Sequence, residues 1–136
     1  MTLKERIEAL RGASVFEGLS ARSLERVARL ACEVDAEAGQ TLIEAGAKGA
    51  GMFVLLEGRA TVDTRGKRAI VLEPGECFGE LALLTPNAVR TARVRALTPV
   101  RSLAIARADF QQLLEDEPKL ALSLLETLAT RLAARG

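Results

Sequence analysis

Three kinds of ligand-binding group lie close together in one short segment of the chain, FGELALLTPNAVRTARVRA. ELALL has helical propensity but stands between two β-prone runs, and the first turn of a helix leaves backbone N–H groups unpaired. Those of Glu80, Leu81 and Ala82 would point toward a bound anion. The Glu80 carboxylate accepts hydrogen bonds from hydroxyl groups, and the planar fork of Arg90 matches two phosphate oxygens.

Two neighbours complete this set of groups. Gly79 has no side chain, so a ligand can approach the backbone closely there, and Thr91 adds a hydroxyl beside Arg90. A turn of free donors, a carboxylate and an arginine together predict a site for a phosphate that lies next to a sugar hydroxyl.

Composition excludes several other kinds of site. The chain has no histidine, which removes histidine acid–base catalysis, Ser-His-Asp and Cys-His sites and histidine-bound metals; we therefore expect no catalytic residues and no metal. The net charge of +1, from 19 Lys and Arg against 18 Asp and Glu, is a poor electrostatic footprint for a nucleic-acid binder. Cys32 and Cys77 are far apart and are expected to be reduced, largely buried thiols.

The 136 residues fit one domain, 1–136, in which 49% apolar residues fill a single core. We expect helices in 1–32, a β-barrel in 33–106 and helices in 107–135. The last helix has leucines on more than one face, from Leu120 to Leu132. Such a helix either packs on the barrel on one side and on a partner on the other, or is simply buried. The fold class is therefore α+β, mainly β: an antiparallel β-barrel or jelly roll of about eight strands, with N-terminal helices and two C-terminal helices.

FGELALL followed by RTA resembles the phosphate-binding cassette of cyclic nucleotide-binding domains, here residues 78–92. These domains occur in catabolite-activator-type transcription factors, protein kinase A regulatory subunits and cyclic nucleotide-gated channels. GQTLIEAG, FVLLEGRATV and LEPGECFGE are similar to the glycine framework of the family, and the resemblance covers nearly the whole chain. The glycines of that framework are Gly39, Gly46, Gly58, Gly75 and Gly79.

The resemblance implies a role for each matching residue. Glu80 accepts from the ribose 2′-hydroxyl, Arg90 pairs with the cyclic phosphate, and the N–H groups of Leu81 and Ala82 bind phosphate oxygens. Thr91 lies beside the phosphate and the purine, where it can favour guanine. The remaining implied ligand-binding residues are Gly79 and Ala92 in the cassette, Val62, Ile70, Leu72 and Phe78 at the base, and Arg131 as a cap on the purine.

The resemblance also implies a function. The ligand is a cyclic nucleotide, cAMP or cGMP, and its capture shifts the C-terminal helices of a regulatory sensor. Two alternatives stay open: a ligand-free structural or interaction domain of the same fold, and the excised sensor half of a transcription regulator, channel or transporter. A homodimer or an effector domain would use the C-terminal helix. A cytoplasmic location is expected because no apolar run reaches the roughly 18 residues of a membrane span.

Overall fold

The structure, a computed structural model, describes residues 1–43, 51–64, 68–79 and 92–135. The described helices are α1 (Leu3–Arg11), a 3₁₀ turn (Ser14–Phe16), α2 (Ala21–Leu30), α3 (Arg107–Asp116) and α4 (Pro118–Arg135). The described strands are β1 (Cys32–Ala36), β2 (Thr41–Ile43), β3 (Gly51–Glu57), β4 (Ala60–Thr64), β5 (Ile70–Leu72), β6 (Cys77–Phe78), β7 (Ala92–Ala96) and β8 (Val100–Ala106).

The strands form two antiparallel four-stranded sheets within the described part of the chain. Their orders are β1-β8-β3-β6 and β2-β7-β4-β5. Helices α1 and α2 precede the strands, and α3 and α4 follow them. The predicted fold class, a mainly β jelly roll of about eight strands with helices at both ends, is confirmed.

Local signals set the ends of the N-terminal helices. Ser20 is the N-cap of α2 and accepts a hydrogen bond from the Ser23 N–H at 3.1 Å. Gly12 is the C-cap of α1. Cys32, which we expected at the end of the helical region, is the first residue of β1, because the Ala31 backbone is already extended (φ −76°, ψ 143°). The prediction of buried thiols is correct for Cys77 but wrong for Cys32, which is exposed on β1.

Two clusters of buried apolar side chains lie on opposite faces of the first sheet. Strand β3 shows the alternation, since Met52 and Val54 point to one cluster while Phe53 and Leu55 point to the other. The helix-side cluster joins that sheet to the helices and contains Leu10, Ala13, Val15, Phe16, Leu24, Val27, Ala28, Ala31, Met52, Val54, Cys77, Leu103, Ile105, Phe110, Leu113, Leu120 and Leu124. The barrel cluster lies between the sheets and contains Ile43, Leu55, Ala60, Leu72, Phe78, Val94, Ala96 and Val100.

The junction between α3 and α4 is tied to α2. The Arg26 guanidinium approaches the Asp116 carboxylate at 2.6 Å, and Ser23 donates to the Glu117 carboxylate at 2.8 Å. The hydrogen bond from Arg26, with a second from Gln112, lowers the pKa of Asp116. None of the helices in the described ranges is long and apolar enough to cross a membrane.

Candidate ligand site at the mouth of the barrel

One cross-strand row of apolar side chains leads from the barrel cluster out to solvent. Val94 of β7 faces Val62 of β4, which in turn faces Ile70 of β5, and cross-strand partners share one face of a sheet. Exposure rises along the row: Val94 is 3% exposed, Val62 is half-buried and Ile70 is 37% exposed. The apolar face of the second sheet therefore reaches solvent at Ile70, near the end of the β4–β5 hairpin.

Three of the four predicted base-pocket residues belong to the interior of the barrel. Leu72 and Phe78 are buried members of the barrel cluster, and Val62 packs against it from the side. Ile70 shares their face through its pairing with Val62 but lies at the rim. The four side chains therefore extend from the buried barrel cluster to its exposed edge.

Phe53 was missed by the sequence reasoning. Its ring stacks on that of Phe78 with the centroids 5.0 Å apart and the planes 7° apart. The run MFVLL is apolar at every position, so period-2 geometry places Phe53 and Leu55 on one side of β3, but only the structure shows that this side faces the barrel.

The two described ends of the cassette are the end of β6 and the start of β7. Gly79 follows β6 with a φ of +88°, the left-handed region that favours glycine. Ala92 opens β7 opposite Thr64. Residues 80–91 join the first sheet to the second. The predicted contacts Glu80, Leu81, Ala82, Arg90 and Thr91 lie outside the described residues.

Arg131, the predicted purine cap, contacts strand β6 in the structure. Its Nη2 donates to the carbonyl oxygen of Cys77 and lies 3.7 Å from the Cys77 Sγ. Arg131 is a half-buried residue of α4. Its contact with a purine stays a prediction.

The outer face of β7 carries charge of its own. Arg93 is exposed there and approaches the Asp63 carboxylate at 3.6 Å. Asp63 is its direct partner on β4. This arginine is therefore turned away from the barrel interior, although it lies only three residues from Arg90 in sequence.

A separate cleft of about 330 Å³ lies along α4. Its lining residues are Ser14, Glu17, Glu76, Ser123, Glu126, Thr127, Thr130 and Arg131. Three carboxylates against one guanidinium make it unsuitable for a phosphate. In the described part of the chain, no three cysteine, aspartate or glutamate side chains are grouped so as to hold a metal ion.

Known proteins identify the class to which this architecture belongs. Residues 33–117 match the cyclic nucleotide-binding domain family, and the chain belongs to that family. The domains of this family are regulatory rather than catalytic. The resemblance seen in the FGELALL and RTA motifs is thereby confirmed.

Individual relatives span several kinds of protein. The chain is 26% identical over 130 residues to the CRP-like cAMP-activated global transcriptional regulator of Mycobacterium tuberculosis, covering 92% of this chain and 58% of the regulator. It is 40% identical over 81 residues to the cGMP-dependent protein kinase egl-4 of Caenorhabditis briggsae, covering 60% of this chain and 11% of the kinase.

A solved structure agrees with the sequence matches. The Catabolite Activator Protein of Thermus thermophilus superposes with a TM-score of 0.79 at 26% identity, covering 90% of this chain and 60% of that one. The chain thus spans somewhat more than half the length of the transcription regulators it resembles.

Proposed function

We propose that this domain is a non-catalytic sensor that binds cAMP or cGMP in segment 78–92. The observation that carries the proposal is the apolar row from Val94 through Val62 to Ile70, which lies near Ala92, the first described residue after Glu80 and Arg90 in the sequence. A purine needs apolar contact, and its sugar and phosphate need a few well-placed polar groups. Small-molecule sites combine these two features in this proportion.

Within the site, each proposed role follows from the chemistry of the side chain. Glu80 accepts from the ribose 2′-hydroxyl, and Arg90 forms a paired, charge-assisted contact with the cyclic phosphate. The N–H groups of Leu81 and Ala82 bind phosphate oxygens, as donors in the first turn of a helix do.

Thr91 contacts the phosphate and the purine in this proposal. Thr91→Ala should therefore reduce binding of cGMP more than binding of cAMP.

Calorimetric titration with each nucleotide tests the site directly. Loss of the Arg90 pair should cost about 2 kcal/mol or more, roughly thirtyfold or more in Kd. Glu80→Ala should also weaken binding. The matched control is Arg93→Ala, which removes a nearby arginine that pairs with Asp63 on the outer face of the sheet; its Kd should equal that of the wild type.

Two results would contradict the proposal. One is the absence of binding to either nucleotide at millimolar concentration. The other is an unchanged Kd in Arg90→Ala, which would favour the alternative of a structural domain that keeps the fold without the ligand.

We further propose that nucleotide capture shifts the balance between two arrangements of α3 and α4. Ligands change such balances only through different affinities for the two states. The support is the uneven attachment of α4, in which Leu120 is fully buried while Leu132 is 72% exposed. The far end of such a helix can move while its first turns stay in place.

The exposed face of α4 is the proposed contact for a partner. Leu122, Leu125, Ala129 and Leu132 are all exposed, and their spacing of three, four and three residues forms a seam of the kind that pairs helices. We propose α4 of a second copy as the occupant, because an identical seam is self-complementary around a twofold axis.

The oligomeric state tests this contact. Leu125→Glu should shift sedimentation toward the monomer, while Lys119→Gln, an exposed change near the start of the same helix, should not. A wild-type chain that stays monomeric at every concentration would contradict the second copy and leave an effector domain as the partner.

A further inference from the structure

Helix α4 is attached to the rest of the domain in two different ways along its length. Leu120 and Leu124 are 0% and 3% exposed and belong to the helix-side cluster, whereas Leu128 is half-buried and Leu132 is 72% exposed. Hydrophobic stabilisation scales with buried apolar area, so it declines steadily toward the end of the helix. A polar contact near that end then has a large share in holding it.

Arg131 makes such a contact. Its guanidinium donates to the carbonyl oxygen of Cys77, which is 1% exposed on β6, and lies 3.7 Å from the thiol sulfur. The donor is permanently charged, and hydrogen bonds of this type are about twice as strong as neutral ones. The second half of α4 is thereby joined to β6, the strand that leads into the cassette.

The bonded carbonyl belongs to the peptide unit between Cys77 and Phe78. Phe78 stacks on Phe53 inside the barrel, and Gly79 then turns the chain with a φ of +88°. Strand β6 consists of two residues, Cys77 and Phe78. Fixing one of its peptide units therefore restrains both the stacked ring and the point where the cassette begins.

We infer that Arg131 is a positioning residue: it joins α4 to β6 and so sets the entry of the cassette before the ligand arrives. The affinity part of this inference rests on the proposed function. Preorganised sites bind more tightly because less ordering is left to the moment of binding. Removal of the guanidinium should then loosen β6 and weaken both nucleotides by the same factor.

The buried thiol of Cys77 reports on β6 directly. In a Cys32→Ser background, the rate of reaction of Cys77 with dithiobis(nitrobenzoate) measures local opening of the strand. Without nucleotide, Arg131→Ala should raise that rate about tenfold, as expected for the loss of one charge-assisted hydrogen bond. Arg131→Lys, which keeps a donor, should lie between Arg131→Ala and the wild type. Ala133→Ser, a change at an exposed position outside the proposed helix contact, should leave the rate unchanged.

The urea dependence of the thiol rate separates local from global opening, because local opening exposes little surface and global unfolding exposes much. If the rate in Arg131→Ala rises with urea as steeply as global unfolding does, Cys77 reacts only in the unfolded chain and the inference is overturned. It is also overturned if Arg131→Ala and Ala133→Ser give equal thiol rates.

Titration with cAMP and cGMP completes the test. We expect a loss of about fivefold to tenfold for both nucleotides in Arg131→Ala. A loss of affinity for one nucleotide alone would indicate that Arg131 contacts the purine. Unchanged affinities would show that its role is structural only. Either result would overturn the inference that Arg131 positions the cassette. If the wild type binds neither nucleotide, the proposed function and the affinity part fail together. The thiol rates would still decide whether Arg131 holds β6.

Discussion

The helix-side cluster and the barrel cluster differ in how they end. The buried members of the helix-side cluster are each at most 3% exposed, and half-buried side chains that pack on it, such as Ile7 and Leu128, lie on the helices that cover the sheet on that side. The barrel cluster instead continues through Val62 to Ile70, which is 37% exposed. The helix-side cluster is therefore closed by helices, whereas the barrel cluster leads to solvent along a row of strand residues. A closed cluster contributes stability, whereas an apolar row that ends in solvent can receive a ligand.

The largest expected effect tests the closed cluster. Phe110 is 0% exposed within it, so Phe110→Ala should lower the free energy of unfolding by about 3–5 kcal/mol through lost burial and a cavity. Lys119→Gln, at an exposed position of α4 outside the proposed helix contact, should change it by less than about 0.5 kcal/mol. Urea denaturation measures both, and equal losses would contradict the assignment of stability to this cluster.

The next effect lies where the chain passes from one sheet to the other. Gly58 joins β3 to β4 with a φ of +84°, and an added Cβ would stand 2.1 Å from the Pro99 carbonyl oxygen. Gly58→Ala should lower the free energy of unfolding by at least about 1–3 kcal/mol, because alanine is strained at this φ. The clash adds to this loss. Gly39→Ala shares the positive φ, but no described atom lies within 4 Å of its added Cβ. If the free energy of unfolding falls no more in Gly58→Ala than in Gly39→Ala, the clash with Pro99 makes no contribution.

A smaller effect should distinguish the two faces of β5. Ile70 lies on the barrel face at the mouth, whereas Val71 is 47% exposed and pairs with Thr61 on the outer face. Ile70→Ala should weaken nucleotide binding by about 1 kcal/mol, roughly the burial of one or two methylene groups, with little change in stability. Val71→Ala should leave the Kd unchanged in the same calorimetric titration. Equal Kd values for the two variants would place the base elsewhere.

The smallest effect concerns the junction of α3 and α4. The hydrogen bond from Arg26 lowers the pKa of Asp116, so the ionised carboxylate stabilises the folded state above the ordinary aspartate pKa. That contribution is lost as the pH falls through the lowered value. The difference in urea midpoint between the wild type and Asp116→Asn should therefore shrink in acid. Glu115→Gln, at an exposed neighbour, is the control, and a difference that stays constant with pH would contradict the role of Arg26.

Much of the fold was predictable because its signals are local. Ser20 is the N-cap of α2 and Gly12 the C-cap of α1, and both residue types are favoured at such helix ends. Four glycines of the predicted framework, Gly39, Gly58, Gly75 and Gly79, have positive φ. Gly46 lies outside the described residues. Glycine adopts a positive φ without the steric cost that a Cβ brings, so these positions favour glycine.

The tertiary structure decided the contacts between distant residues. Arg131 reaches Cys77 across 54 positions and Arg26 reaches Asp116 across 90, and no local spacing indicates either pair. The same holds for the exposure of Cys32 and for the place of Ile70 at the rim. The sequence by itself determined which groups could bind a phosphate and a sugar, because side-chain chemistry needs no neighbours. Which elements hold those groups in place depends on packing, and packing exists only in the folded chain.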